Sequence, residues 1–123
     1  MASRPRILCM TDVSYVPQAR EILEDAAEVV YHAPDRQFAL NHIGEFDAFW
    51  GHVDLKVDKA ILDRASRLKV INTASTGTDH IDKDEAARRG ICVLCIARDL
   101  SLLDTFTATA ACACMLLLAC MRH

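Results

Sequence analysis

Five short apolar runs recur along this chain: "ILCM" at residues 7–10, "VVYH" at 29–32, "DAFWGHV" at 47–53, "KVINTA" at 69–74 and "ICVLCI" at 91–96. Each is separated from the next by a stretch rich in helix formers. Strands that alternate with helices in this way predict an α/β fold, with a parallel sheet covered on both faces. The helical stretches carry their own signals. "PQAREILEDAAE" opens on Pro17, a residue suited to the first turn, and sets Ala19, Ile22, Leu23 and Ala26 on one side. "DRQFALNHIGEF" offers Phe38, Leu40, Ile43 and Phe46 as its apolar set, and "DKAILDRAS" follows the third run. "DKDEAARRG" has a start at Asp82, with Glu85 three residues on, and a stop at Gly90.

At 123 residues the chain is long enough for one core and short for a complete two-substrate enzyme. Its formal charge of -3 is built from both signs spread along the sequence, so neither a nucleic-acid partner nor a solvating acidic tail is expected. Residues 1–10 hold two arginines and lack the apolar stretch of a signal peptide, which makes the cytoplasm the expected setting. The six cysteines then read as small buried hydrophobes rather than a disulfide framework or a metal site. In "ICVLCI", Cys92 and Cys95 would point to opposite faces of a strand, and "CAC" at 112–114 lacks the turn residues of a thiolate pair. From Thr105 to Met121 no residue is charged. Its first half, rich in Thr and Ala, is too weakly apolar to insert well in a membrane, so the expectation is a long apolar C-terminal helix buried on all sides, with Met115 to Met121 an exposed apolar patch where no neighbouring domain covers it, and no membrane partner.

The turn in "VINTASTGTDHIDKDEAARRG" is the candidate site. It lies after the fourth strand, at the carboxyl end where open α/β sheets bind ligands. Gly77 lets the backbone pass close to a guest, and amides around Thr76 and Gly77 can converge on a small carboxylate or phosphate. An ordinary tight turn that needs glycine for steric reasons is the competing reading. No G-x-G-x-x-G and no G-x-x-x-x-G-K-[ST] occurs, so no phosphate cradle for a dinucleotide or nucleoside triphosphate is present. His80, flanked by Asp79 and Asp82, invites a metal or acid/base role. Its neighbours match no ligand spacing, and a structural role is preferred.

The segments "LKVINTASTGTDHIDKDEAARRGICVL" and "DTFTATAACACMLLLACMRH" resemble the first domain of the NAD-dependent D-isomer-specific 2-hydroxyacid dehydrogenases, from Leu68 to Arg122. The shared pattern is a strand, a turn of the kind S-x-G-x-D-H/N-I/V-D, a helix ending R-G-I-x-V, a loop, and a helix reading T-A-E before a leucine run and an Arg. From Arg6 to Arg67 only the order of strands and helices agrees. The resemblance implies a flavodoxin-like, doubly wound, five-stranded parallel sheet of order 2-1-3-4-5. It implies that the amides at Thr76 and Gly77 bind the substrate carboxylate, and that the loop at His52 and Val53 lines the other side of the cleft, His52 as a neutral lining residue. Thr109 takes the place of the T in T-A-E, near the cofactor.

Two departures follow. Ala111 stands where the pattern has Glu, and the sequence holds neither the glycine fingerprint nor the catalytic Arg, Glu and His of the family's dinucleotide-binding domain. The expectation is therefore residues 1–101 as a flavodoxin-like substrate-binding domain and 102–123 as a helix leading to a dinucleotide-binding domain. No catalytic residue and no metal are expected in this chain. NAD or NADP would serve the full-length family, with none bound tightly here. The expected partners are a small 2-hydroxy or 2-keto acid and, on the C-terminal helix, a second copy or the missing domain. Such a chain alone is expected to be inactive as an oxidoreductase. The alternative is a stand-alone flavodoxin-like module that binds a carboxylate or another protein.

Overall fold

The computed structural model describes residues 3–98, 100–105 and 107–121. Five strands, β1 (Arg6–Cys9), β2 (Glu28–Tyr31), β3 (Ala48–Gly51), β4 (Val70–Thr73) and β5 (Cys92–Cys95), form one parallel sheet in the order β2-β1-β3-β4-β5. The helices between them are α1 (Pro17–Ala26), α2 (Arg36–His42, extended by a 3-10 turn at Ile43–Glu45), α3 (Lys59–Leu62) and α4 (Lys83–Arg88). After β5 come a 3-10 turn at Ile96–Arg98, α5 (Leu100–Leu103) and α6 (Ala108–Met121). This is the doubly wound α/β arrangement that the alternation and the resemblance lead one to expect.

Local capping fixes where the helices begin. The carboxylates of Asp35, Asp58 and Asp82 accept from the amides of Phe38, Ile61 and Glu85, three residues on in each case, and so satisfy donors that the first turn leaves open. Helix α4 ends at Gly90, whose φ of 70° makes it the one positive-φ residue among those described. Past that point Ile91 returns its amide to Ala86 and β5 begins.

Which face each helix covers follows from strand order. The step from β1 to β2 runs one way along the sheet and the step from β2 to β3 runs the other, so right-handed crossovers put α1 on one face and α2, α3 and α4 on the opposite one. The register sorts the side chains accordingly. The row Val30, Leu8, Phe49, Ile71 and Val93 meets α2 to α4, and its three central members are almost wholly dry. With Ala39, Ile43, Phe46, Ile61, Leu62 and Ala86 it forms the core. The rows on either side of it point to the other face. They hold Val29, Ile7, Ala48, Val70 and Cys92, then Tyr31, Cys9, Trp50, Asn72 and Leu94.

Three expectations are corrected here. The sheet is covered fully on one face only, because a single crossover helix serves the other. Helix α1 has no buried residue, and Ile22 is 70% exposed, since among the described residues α1 packs chiefly on the outer strand β2. The C-terminal segment is not one long buried helix: it divides into α5 and a 14-residue α6, whose described side chains are all exposed. Its sequence has no polar face, so it gives no direction in which to pack. The cysteines divide as well: Cys9 is buried as a packing residue, while Cys92, Cys112, Cys114 and Cys120 are exposed and Cys95 is intermediate, all as free thiols. No described helix is long and apolar enough to cross a membrane.

Candidate functional site

The carboxyl ends of β3 and β4 meet at a shared rim. His52 and Val53 follow β3 directly, and the turn at residues 74–79 follows β4. A short parallel bridge joins Val57 to Ile81 and draws the two loops together. In it the Val57 amide donates to the His80 carbonyl at 2.7 Å and the Asp82 amide to the Val57 carbonyl at 2.9 Å. The two walls expected from the sequence are thus brought to one place.

On the β4 wall, Thr76 and Gly77 are exposed, and among the described residues their amides donate to no backbone carbonyl. Gly77 does not have a positive φ, and a Cβ built on it would meet nothing within 4 Å. The steric explanation for this glycine therefore has no support from the chain's own atoms. What a side chain there would obstruct is the space outside the turn, which is where a guest of the free amides would sit. A groove of about 540 Å³ is lined by Thr76 and Thr78, by the exposed Lys83, and by Cys92 and Cys95.

On the β3 wall, His52 is half-buried and accepts the Asp54 amide at Nδ1 over 3.3 Å, while Val53 is about half exposed. His80 sits between the walls. Burial pushes its pKa below the ordinary value, Asp79 opposes this, and the neighbouring His52 adds to the lowering. Its Nε2 lies 3.3 Å from Thr73 Oγ1. Thr73 was not singled out in the sequence. Its 1% exposure at the last position of β4, two residues before Ser75, is a signal that appears only once the strand is placed in the sheet. Thr109 is in the first turn of α6, and its side chain lies outside the described residues.

The chain's glycines do not supply a dinucleotide cradle. They stand at Gly44, Gly51, Gly77 and Gly90, and the turn after β1 contains none. The residues present therefore do not fit a nicotinamide dinucleotide. Among the described residues no group of three His, Cys, Asp or Glu side chains is placed to hold a metal ion. A separate cavity of about 470 Å³ opens beneath the start of α1, between Cys9, Arg20, Tyr31 and His32, and shares no lining residue with the rim.

Comparison with known proteins gives the family and the fold. The profile of the D-isomer specific 2-hydroxyacid dehydrogenase catalytic domain matches residues 7–100. A glyoxylate reductase from Pyrococcus horikoshii is 30% identical over 125 residues, which span 98% of this chain and 35% of the relative. A glyoxylate reductase from Thermofilum pendens is 40% identical over 77 residues, 58% of this chain and 23% of its own length. An erythronate-4-phosphate dehydrogenase from Aeromonas hydrophila is 38% identical over 76 residues, 62% and 20% respectively. Among solved structures, a protein from Pyrococcus horikoshii superposes with a TM-score of 0.71 at 33% identity, covering 76% of this chain and 28% of that one. The Aquifex aeolicus D-lactate dehydrogenase complexed with NAD and lactic acid gives 0.63 at 28% identity, covering 74% and 27%. The chain thus spans about a third or less of the length of the relatives it matches.

Proposed function

The chain belongs to the D-isomer specific 2-hydroxyacid dehydrogenase family, and from that premise we propose that it is the substrate-side domain of an NAD(P)-dependent oxidoreductase acting on the CH–OH group of small 2-hydroxy acids. Residues 1–101 form the binding domain, and 102–123 lead from it towards the cofactor-bearing part that the family's chains possess. The amides of Thr76 and Gly77 receive the substrate carboxylate, and His52 and Val53 face it from the opposite wall. Thr109 belongs to the cofactor side of the cleft. The observation that carries this reading is the turn after β4, with two free amides beneath open space at Gly77. Hydride transfer is not carried by these 123 residues, since a nicotinamide site is the hydride partner and none of them fits one.

One wall of a cleft buries little of a small acid, so affinity for the chain alone is expected to be roughly millimolar. A titration of ¹⁵N-labelled chain with oxalate, followed by amide chemical shifts, tests the site directly. Saturable shifts centred on Thr76 and Gly77 support it. Shifts scattered over the surface, or none well above millimolar oxalate, refute it. The half-covered sheet face and the exposed α6 favour a second reading, a binding module that another protein or a second copy completes. Sedimentation at micromolar concentration separates the two: a clean monomer counts against self-association.

A further inference from the structure

The turn that presents Thr76 and Gly77 has few backbone restraints. Its main-chain bonds are those that Ile96 donates to the Ser75 carbonyl at 3.3 Å and Ile81 to the Thr78 carbonyl at 3.0 Å. Side chains supply the rest, through a chain of three hydrogen bonds whose direction can be deduced. The Gly77 carbonyl has no proton, so Ser75 Oγ donates to it, at 2.7 Å. A serine hydroxyl has one proton, so the 2.9 Å contact between Ser75 and Thr73 is a donation from Thr73 Oγ1. The threonine proton is then spent too, and the 3.3 Å contact with His80 Nε2 is a donation from the ring. The chain therefore runs from imidazole to Gly77 carbonyl and requires a proton on Nε2. Both the neutral ring with that tautomer and the imidazolium meet this requirement.

We propose that His80 is the positioning residue of the carboxylate turn: its ring, acting through Thr73 and Ser75, pins Gly77, while its main-chain carbonyl holds the opposite loop through Val57. The inference rests on the reading above that the Thr76 and Gly77 amides receive the carboxylate. Its physical content is preorganisation. Gly77 has no side chain to limit its φ and ψ, so an unpinned turn would have to be ordered by each ligand that binds, at the expense of affinity. Thr73 transmits the restraint well because it is buried at the end of a central strand, where water cannot replace the ring as its donor. The Val57 bond ties the loop with His52 and Val53 to the same residue, so one position sets both walls of the cleft.

The test compares oxalate affinity and Gly77 amide order parameters in four variants of the ¹⁵N-labelled chain. His80→Leu is expected to weaken binding about fivefold, the worth of one net hydrogen bond, and to lower the Gly77 order parameter without ligand present. Thr73→Val keeps the shape, breaks the same chain and should match it. The double variant should be no weaker than either single one. His80→Gln, whose side-chain amide can donate in place of the ring, should recover most of the loss. A role in stability alone would lower the melting temperature without this pattern of rescue and non-additivity. Unchanged Gly77 order in His80→Leu, additive effects, or no rescue by Gln would overturn the proposal. Should His80→Leu fail to fold, Thr73→Val alone still decides it. If the wild-type chain shows no oxalate site while Gly77 loosens in the variants, the carboxylate reading fails and the positioning role stands.

Discussion

The two faces of the sheet are built from the same strands and differ in almost everything else. On the face of α2, α3 and α4, Leu8, Phe49 and Ile71 are at most 1% exposed. On the other, Ala48 and Val70, one residue away along the same strands, are only partly covered, and Leu94 is 41% exposed. Both faces are largely apolar, although the open one also holds Tyr31 and Asn72, so composition alone does not explain the contrast. Strand order does: three crossovers run in one direction and one in the other, and a single helix cannot roof five strands. Parallel sheets are ordinarily buried on both sides, so the open face is unfinished surface. The buried Trp50 Nε1, which lacks a partner among the described residues, belongs to it too.

The largest test of this contrast substitutes matched positions on the two faces. Phe49→Ala should cost about 3–5 kcal/mol in urea unfolding, while Val70→Ala, half-covered beforehand, should cost about 1 kcal/mol or less. Similar costs would mean that the open face is covered in solution, and the contrast would disappear. Next in size is the polar clasp that locks the covered side. Glu85 is buried and pairs with Arg88 at 2.8 Å and with Arg89, whose guanidinium also reaches Asp63 and the Leu62 carbonyl of α3. Glu85→Ala removes the carboxylate that the two arginines share, leaves Arg89 with Asp63 and the Leu62 carbonyl and Arg88 in solvent, and should cost about 1 kcal/mol, read from the same unfolding curves.

A smaller effect is expected where the faces do not differ, at the amino ends of the strands. Asp47 accepts the Arg6 amide at 2.9 Å and pairs with Arg67 at 3.1 Å, joining β1 to the approach of β4. The Arg6 amide, aided by the Arg67 guanidinium, holds its carboxyl below the ordinary value despite some desolvation. A carboxyl with a lowered folded pKa stabilises fully above its unfolded value of about 3.9, and this contribution is lost as pH falls further through the folded pKa. The stability gap between the wild-type chain and Asp47→Asn should therefore be constant near neutral pH and narrow below about pH 4. A gap unchanged in acid would remove the clamp from the account. Smallest of all is Gly77→Ala, where open space and an ordinary φ predict a stability change within about 0.5 kcal/mol. Loss of oxalate binding in that variant would show that the glycine is kept for a ligand rather than for the fold.

These cases show which features can be read from residue order. The start at Asp82 and the stop at Gly90 were legible because a cap is decided by atoms within three or four residues. The Gly77 turn was legible for the same reason, as were the five strands. The helix at Pro17–Ala26 could be recognised, but not its exposure, because the stripe of Ala19, Ile22, Leu23 and Ala26 looks the same whether or not a neighbouring helix exists. The run from Thr105 to Met121 was legible only in part, its burial on all sides being wrong and the exposed patch at residues 115–121 right, because uniform apolarity encodes a need for cover without saying what provides it. At the site, His52, Val53, Thr76 and Gly77 could be nominated, whereas the ring-to-turn chain through Thr73 and Ser75 could not. Its members all lie within residues 73–80, but their contacts depend on how the turn after β4 doubles back, which residue order does not show; the Val57–Ile81 bridge, between residues 24 positions apart, then joins the opposite loop to it.

Local chemistry along the chain was enough to specify the strands, the caps, the α/β class and a glycine turn after β4. The sheet order decided the rest: which apolar residues became core and which remained open, that Thr73 is buried, and that the loops after β3 and β4 meet at one rim. The division is physical. Capping, turn geometry and periodicity are interactions between near neighbours, while burial depends on what strands far apart in sequence bring together.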